Sequence, residues 1–137
     1  YEIGVRLVGS EMCIRDSHQA DRGPEWTNIE EEKYLSRHDL SGRVVVIDCV
    51  TLWGTNFFFD SDGDTKRSLD ELKDEFNKFT NQDAYLIFVT NEIGLGGVSP
   101  DAVQRKFTDL QGWLNQYIAS RADEVILMIS GIPMKVK

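Results

Sequence analysis

The chain has 137 residues, 41% of them apolar, with 15 Lys and Arg against 23 Asp and Glu and a net charge of −8. That allows one domain with a real core and excludes a disordered, collagenous or transmembrane chain. An acidic chain without a block of Lys and Arg also lacks the electrostatic footprint of non-specific DNA or RNA binding, so nucleic acid is not an expected partner.

Residues 1–17 read YEIGVRLVGSEMCIRDS. They sustain neither a helical apolar stripe nor strand alternation beyond a few positions, so no element is expected from them. Arg6, Glu11, Arg15 and Asp16 interrupt the hydrophobic run that a signal peptide requires. The stretch resembles a string that recurs in unrelated assembled genes, the translation of a sequencing-library adapter, and the native sequence is expected to start near His18. Residues 18–137 are then the C-terminal part of a single domain.

After a polar opening with Gly23, Pro24 and the charged cluster Glu30 to Lys33, the block Arg43 to Asp48 (RVVVID) predicts a strand buried on both faces, and hence parallel. Phe57 to Phe59 close a second apolar stretch before the surface turn Asp60 to Asp64. Leu69, Leu72, Phe76 and Phe79 then share one helical face, with Ser68 and Glu71 as a capping box. Tyr85 to Thr90 is the next strand. It leads into Asn91, Glu92 and a loop with Gly94, Gly96 and Gly97 that suits close backbone approach. Ser99 and Pro100 are expected at the N-cap and N1 of a long helix running to about Arg121, with Val103, Phe107, Leu110, Leu114 and Ile118 as its buried stripe. Val125 to Ile129 is a third buried strand, ended by Ser130 and Gly131. Strands alternating with helices mean an α/β fold with a parallel sheet.

Cys13 and Cys49 provide neither a disulfide framework nor metal-ligand spacing, which suits a reducing cytoplasm. The longest apolar runs are too short to span a bilayer.

In an open parallel sheet the ligand site lies beyond the carboxyl ends of the strands. Three polar groups are expected there: Asp48 with Thr51, Asn91 with Glu92, and Ser130 with Gly131. An apolar strand ending in Asp is the form of a Walker B element, because that carboxylate can hold Mg²⁺ against nucleotide phosphates. Its usual partner, the phosphate-cradling GxxxxGK[ST] loop, does not occur in the sequence, and the Gly94, Gly96, Gly97 loop has no following Lys to replace it. Asp60, Asp62, Asp64 and Glu71 imitate the spacing of an EF-hand, but Thr65 stands where the turn requires Gly, so a solvated acidic turn is the better reading. His38, between Arg37 and Asp39, reads as a surface side chain, and Trp53 and the other aromatics as core.

The segments HQADRGPEW, VVVIDCVTLWGTN, TNEIGLGGVSP, RKFTDLQGWLNQ, ADEVILMISG and GIPMKVK, in this order, resemble the bifunctional cobalamin-biosynthesis family of the CobU type, adenosylcobinamide kinase and adenosylcobinamide-phosphate guanylyltransferase. The resemblance runs from about His18 to Lys137. It implies a mostly parallel RecA-like P-loop NTPase sheet, a cytoplasmic homotrimer, and ATP, GTP and Mg²⁺ as cofactors. It also implies the chemistry: phosphorylation of the aminopropanol hydroxyl of adenosylcobinamide, then transfer of GMP from GTP through an enzyme histidine onto the phosphate. Carried over by resemblance, His18 is the guanylylated nucleophile, since a neutral imidazole nitrogen can attack the α-phosphorus and form a labile phosphoramidate. Gln19, Ala20, Asp21 and Arg22 follow it in the nucleotide-contacting stretch. Glu30 matches the acidic residue after the tryptophan, and Asp48 the Walker B acid, both nucleotide-binding and the latter metal-binding.

The chain departs from the family at Asn28, where Thr is usual, at Pro100, shifted by one place, and at Trp113, where Arg is common. Above all, the N-terminal unit with the P-loop Lys and Ser is absent, so the polypeptide as written is expected to be inactive. The competing reading is an unrelated non-catalytic α/β binding or scaffold domain in which His18, Asp48 and Glu92 are structural.

Overall fold

The computed structural model describes the backbone of Gly4–Val8 and residues 26–137. Four parallel strands form one sheet: β1 (Gly4–Val8), β2 (Trp26–Glu30), β3 (Val44–Asp48) and β4 (Tyr85–Val89), in the order β2-β1-β3-β4. Three helices follow the strands: α1 (Val50–Asp60), α2 (Thr65–Thr80) and α3 (Ala102–Arg121). A separate antiparallel pair, β5 (Ile126–Ile129) and β6 (Ile132–Lys135), ends the chain. The α/β class and the parallel sheet therefore hold.

The N-terminal reading needs correction. Gly4–Val8, expected to form no element, lies between β2 and β3 and pairs with both, Val8 facing Glu30 on one side and Asp48 on the other. Pairing in a parallel ladder is made by main-chain groups, so a short segment containing Val and Leu suffices even without a long periodic pattern. β2 was also missed: WTNIE carries too few apolar residues to stand out from its polar surroundings, and as an edge strand it leaves Thr27, Asn28 and Glu30 exposed.

The valine run of β3 behaves as read. Val45 and Ile47 are fully buried, while Val44, Val46 and Asp48 on the other face are half-buried. Its register against β4 is set before the strands begin: Gly42 N–H donates to Asp83 O at 2.6 Å, and Leu40 N–H to Gln82 Oε1 at 2.8 Å. Gly42 has φ +78°, a conformation that an L side chain rarely adopts, which lets the chain turn into β3.

α1 was read only as an apolar stretch. Val50, Trp53, Gly54, Phe57 and Phe58 are buried at helical spacing, which identifies the stripe in retrospect. Trp53 Nε1 donates to Lys33 O at 2.8 Å, satisfying the one polar atom of a buried indole. Gly54 lets α1 approach α3 closely: a Cβ there would lie 3.5 Å from Gln111 Oε1 and 3.8 Å from Leu114.

Both predicted helix starts move. α2 begins at Thr65, capped by Asp64, whose carboxylate accepts from Arg67 N–H at 3.0 Å; Ser68 is buried and bonds Ser61 Oγ at 2.7 Å and Asp64 O at 2.7 Å. α3 begins at Ala102, capped by Asp101 through Val103 N–H at 2.8 Å, and ends at Arg121 as expected. In both cases an aspartate takes the cap, Asp64 upstream of Ser68 and Asp101 downstream of Ser99. Leu110, Leu114 and Ile118 are buried, Phe107 partly so, and Val103 is exposed because it lies in the first turn, beyond the reach of α1 and α2. The helix stripes and the Val45–Ile47 face gather into one core, with edge-to-face contacts between Phe58 and Phe107 and between Trp53 and Phe57.

The third buried parallel strand is contradicted. β5 turns back through Ser130 (φ 51°) and Gly131 (φ 78°), two left-handed residues that make a tight hairpin, and pairs with β6 outside the sheet. Ile126, Met128 and Ile129 are exposed. Among the described residues no helix is long and apolar enough to cross a membrane.

Candidate functional site

Parallel strands deliver their carboxyl ends to one edge, and there the chain concentrates its polar side chains. Asp48 ends β3 and Glu30 ends β2, each in register with Val8 of the strand between them. Two strand spacings separate their backbones, on the order of 10 Å, so two carboxylates flank the end of β1. Asp48 is followed directly by α1, with Cys49 at its N-cap and Thr51 in its first turn. The Asp48–Cys49 peptide is cis.

The loop after β4 is tied to that helix start. Asn91 Nδ2 donates to Thr51 Oγ1 at 3.2 Å, so the Asp48–Thr51 pair and the Asn91–Glu92 pair meet as expected. The third expected group does not join them, because Ser130 and Gly131 form the hairpin turn outside the sheet.

Behind the loop stands a network that reading the sequence missed. Gln111 and Asn115 lie one turn apart on α3, within the Leu110, Leu114, Ile118 stripe, and are almost wholly buried, Gln111 at 1% exposure. Gln111 Nε2 donates to Thr90 Oγ1 at 2.8 Å and to Asn115 Oδ1 at 2.9 Å; Thr90 Oγ1 donates to the same Asn115 oxygen at 2.7 Å. Asn115 Nδ2 then donates to Asn91 O at 3.1 Å and to Glu92 Oε1 at 3.2 Å. Gln111 Oε1 is buried without a partner. The signal was present: two amides four residues apart interrupt an otherwise apolar helix face, and burying amides is costly unless they are bonded.

His18, Gln19, Ala20, Asp21 and Arg22 lie outside the described residues. His38 is not a free surface side chain; it is half-buried, its Nε2 3.1 Å from Glu31 Oε1. Burial pushes the Glu31 carboxyl up, but the N–H groups of Tyr34 and Lys33 and the His38 ring outweigh it and hold the carboxyl below its usual range. The acidic turn also has protein partners: Asp60 pairs with Lys33, Asp64 caps α2, and Glu71 pairs with Arg67. Among the described residues no group of three His, Cys, Asp or Glu is placed to hold a metal ion.

A cleft of about 260 Å³ opens beside Lys33, Tyr34, Phe57 and Asp60. It lies at the far end of α1, roughly 9 to 13 Å along the helix axis from Thr51. Its lining mixes both signs of charge and shares no residue with the carboxyl edge, so it is a groove between packed elements and not the candidate site.

A family model described as cobinamide kinase / cobinamide phosphate guanyltransferase matches residues 7–136. The bifunctional adenosylcobalamin biosynthesis protein CobU of Escherichia coli (strain K12) is 31% identical over 148 positions, covering 96% of this chain and 82% of that protein. CobP of Pseudomonas aeruginosa, a bifunctional adenosylcobalamin biosynthesis protein, is 34% identical over 125 positions, covering 88% and 70%. CobU of Salmonella typhimurium is 30% identical, with coverage of 96% and 82%.

Proposed function

The chain belongs to the cobinamide kinase / cobinamide phosphate guanylyltransferase family, and on that premise we propose that its carboxyl edge is the nucleotide site of a bifunctional enzyme of cobalamin biosynthesis. In the first reaction the edge binds a nucleoside triphosphate, ATP or GTP, and directs its terminal phosphoryl group to the aminopropanol hydroxyl of adenosylcobinamide. In the second, His18 takes GMP from GTP and hands it to adenosylcobinamide phosphate with release of pyrophosphate. The observation that carries this reading is the placement of Asp48 at the end of β3, one residue before a helix start and level with Glu30 across β1.

The residues fit a magnesium ion. The Asp48 carboxylate and the nearby Thr51 hydroxyl are hard oxygen donors, and Mg²⁺ characteristically takes one or two carboxylates together with substrate phosphates and water. The ion would supply charge neutralisation on the transferring phosphates. Glu30, Gln19, Ala20, Asp21 and Arg22 bind and orient the nucleotide, and the imidazole of His18 supplies the covalent group.

The finer expectations belong to the same proposal: a RecA-like P-loop sheet, a cytoplasmic homotrimer, and an N-terminal unit bearing the phosphate loop that precedes His18 in the intact gene product. The exposed side chains of β4 support a further element over that face of the sheet. Tyr85, Ile87 and Val89, in a strand whose composition suits burial on both faces, are 69%, 40% and 42% exposed.

The test uses the intact gene product and GTP labelled in its α-phosphate. His18→Ala is expected to abolish transfer of label to protein while the kinase reaction continues, because only the second reaction needs a covalent nucleophile. His38→Ala should leave both intact. Labelling of the His18 variant overturns the assignment.

A further inference from the structure

A buried polar network inside an apolar helix face needs a reason, since well-packed apolar residues would satisfy the fold at lower desolvation cost. Gln111 and Asn115 occupy positions on α3 where Leu would continue the stripe formed by Leu110, Leu114 and Ile118. Apart from the bond between them, their side-chain bonds converge on the three residues after β4. Thr90 is held by Gln111 and Asn115, the Asn91 carbonyl by Asn115, and the Glu92 carboxylate by Asn115 at 3.2 Å. Asn91 in turn reaches Thr51, in the first turn after Asp48. The network therefore fixes an exposed carboxylate at the carboxyl edge, in the loop that follows the strand adjacent to the one ending in Asp48.

Resting on the kinase reading above, we infer that Glu92 is a catalytic residue of the phosphoryl transfer, the group that accepts the proton of the attacking hydroxyl, and that Asn115 is its positioning residue. The alcohol oxygen forms a bond to the terminal phosphorus while the bond from that phosphorus to the bridging oxygen breaks. The nucleoside diphosphate leaves with that electron pair, and the hydroxyl proton passes to Glu92. In a transfer with a loose transition state, orientation of the incoming oxygen is most of what a protein carboxylate contributes, and a carboxylate fixed by a buried amide is suited to it. The second reaction has no alcohol proton to remove, since a neutral ring nitrogen attacks phosphorus, so Glu92 is not needed for guanylylation of the histidine.

The experiment measures both reactions in the intact gene product. Glu92→Gln is expected to lower kcat of adenosylcobinamide phosphorylation by about 100-fold, with KM for the nucleotide changed by no more than about twofold, and to leave labelling of the protein by α-labelled GTP at the wild-type level. Glu92→Asp should recover part of the loss. Asn115→Leu is expected to lower kcat by about tenfold through misplacement of the carboxylate, and to cost nothing further in the Glu92→Gln background, because it acts through that group. Kinase turnover unaffected by Glu92→Gln overturns the inference alone, as does loss of histidine labelling in parallel with kinase activity or multiplicative losses in the double variant. Absence of phosphorylation in the unsubstituted protein overturns the kinase reading, and this inference with it.

Discussion

Ser36 and Glu75, 39 residues apart, are joined twice: Ser36 N–H donates to one carboxylate oxygen at 2.6 Å and Ser36 Oγ to the other at 3.0 Å. Glu75 is only 6% exposed, so a charge on α2 is buried and paid with two hydrogen bonds from the turn that precedes β3. Glu75→Ala leaves the Ser36 N–H without a partner and is expected to destabilise the fold by about 1–3 kcal/mol, read as a lower urea midpoint. Glu75→Gln keeps an acceptor for one bond and should cost less. Equal stability of all three proteins would show that the pair contributes nothing.

The caps separate what sequence could and could not supply. Asp64 and Asp101 start α2 and α3, although Ser68 and Ser99 resemble N-caps as well. Asp64→Ala should cost about 1 kcal/mol of stability. Ser68→Ala should cost less, because the buried hydroxyl of Ser61 loses one partner but keeps its bond to Phe58 O at 3.0 Å. A thermal melt of each variant decides; an unchanged Asp64→Ala melt would return the cap to Ser68.

The same physics explains the wider record. Helix faces and the β3 valines were legible because each carries a period that only one geometry satisfies. β1 and β2 were not, because a five-residue strand is specified mainly by the neighbours that pair with it. At the site, Asp48 and Glu92 were visible as polar ends of apolar runs. Gln111 and Asn115 were not, since within a 20-residue helix two amides look like solvent-facing residues until the fold shows them buried beneath the loop after β4.

Glu31 gives the chain an acid-sensitive contact. Its folded carboxyl titrates below the ordinary 4.5 because, despite burial, it accepts from Tyr34 N–H, Lys33 N–H and the His38 ring. A depressed carboxyl contributes stability that is fully present above the unfolded value and lost as pH falls through the folded one. Glu31→Gln is therefore expected to lower the melting temperature at pH 7 and to lose that effect progressively below about pH 4.5. A difference between the two proteins that is constant over the whole acid range would assign the effect to packing.

The 137-residue chain is expected to show no phosphorylation of adenosylcobinamide, because the transfer depends on backbone amides and a Lys of the phosphate loop, and GxxxxGK[ST] does not occur in its sequence. Measurable conversion by the purified chain would falsify this expectation and place the phosphate cradle on residues of this chain.

The exposed face of the edge strand β4 should govern how this chain behaves in solution. Among the described residues β4 pairs with β3 alone, and Tyr85, Ile87 and Val89 lie exposed on one face of a strand with no charge among its five residues. Natural edge strands carry charges, bulges or covers that prevent pairing with another chain, and β4 has none of the first. The chain is expected to associate with rising concentration in sedimentation velocity, and Ile87→Lys to shift it towards the monomer by placing an ammonium on the apolar face. In the intact gene product, where the proposal puts a further element over this face of the sheet, the same substitution buries an unpaired charge. There it should destabilise the fold by several kcal/mol instead of improving its solubility. Opposite effects of one substitution in the two proteins follow only if this face is open in the first and covered in the second; a harmless Ile87→Lys in the intact protein would place the missing element elsewhere.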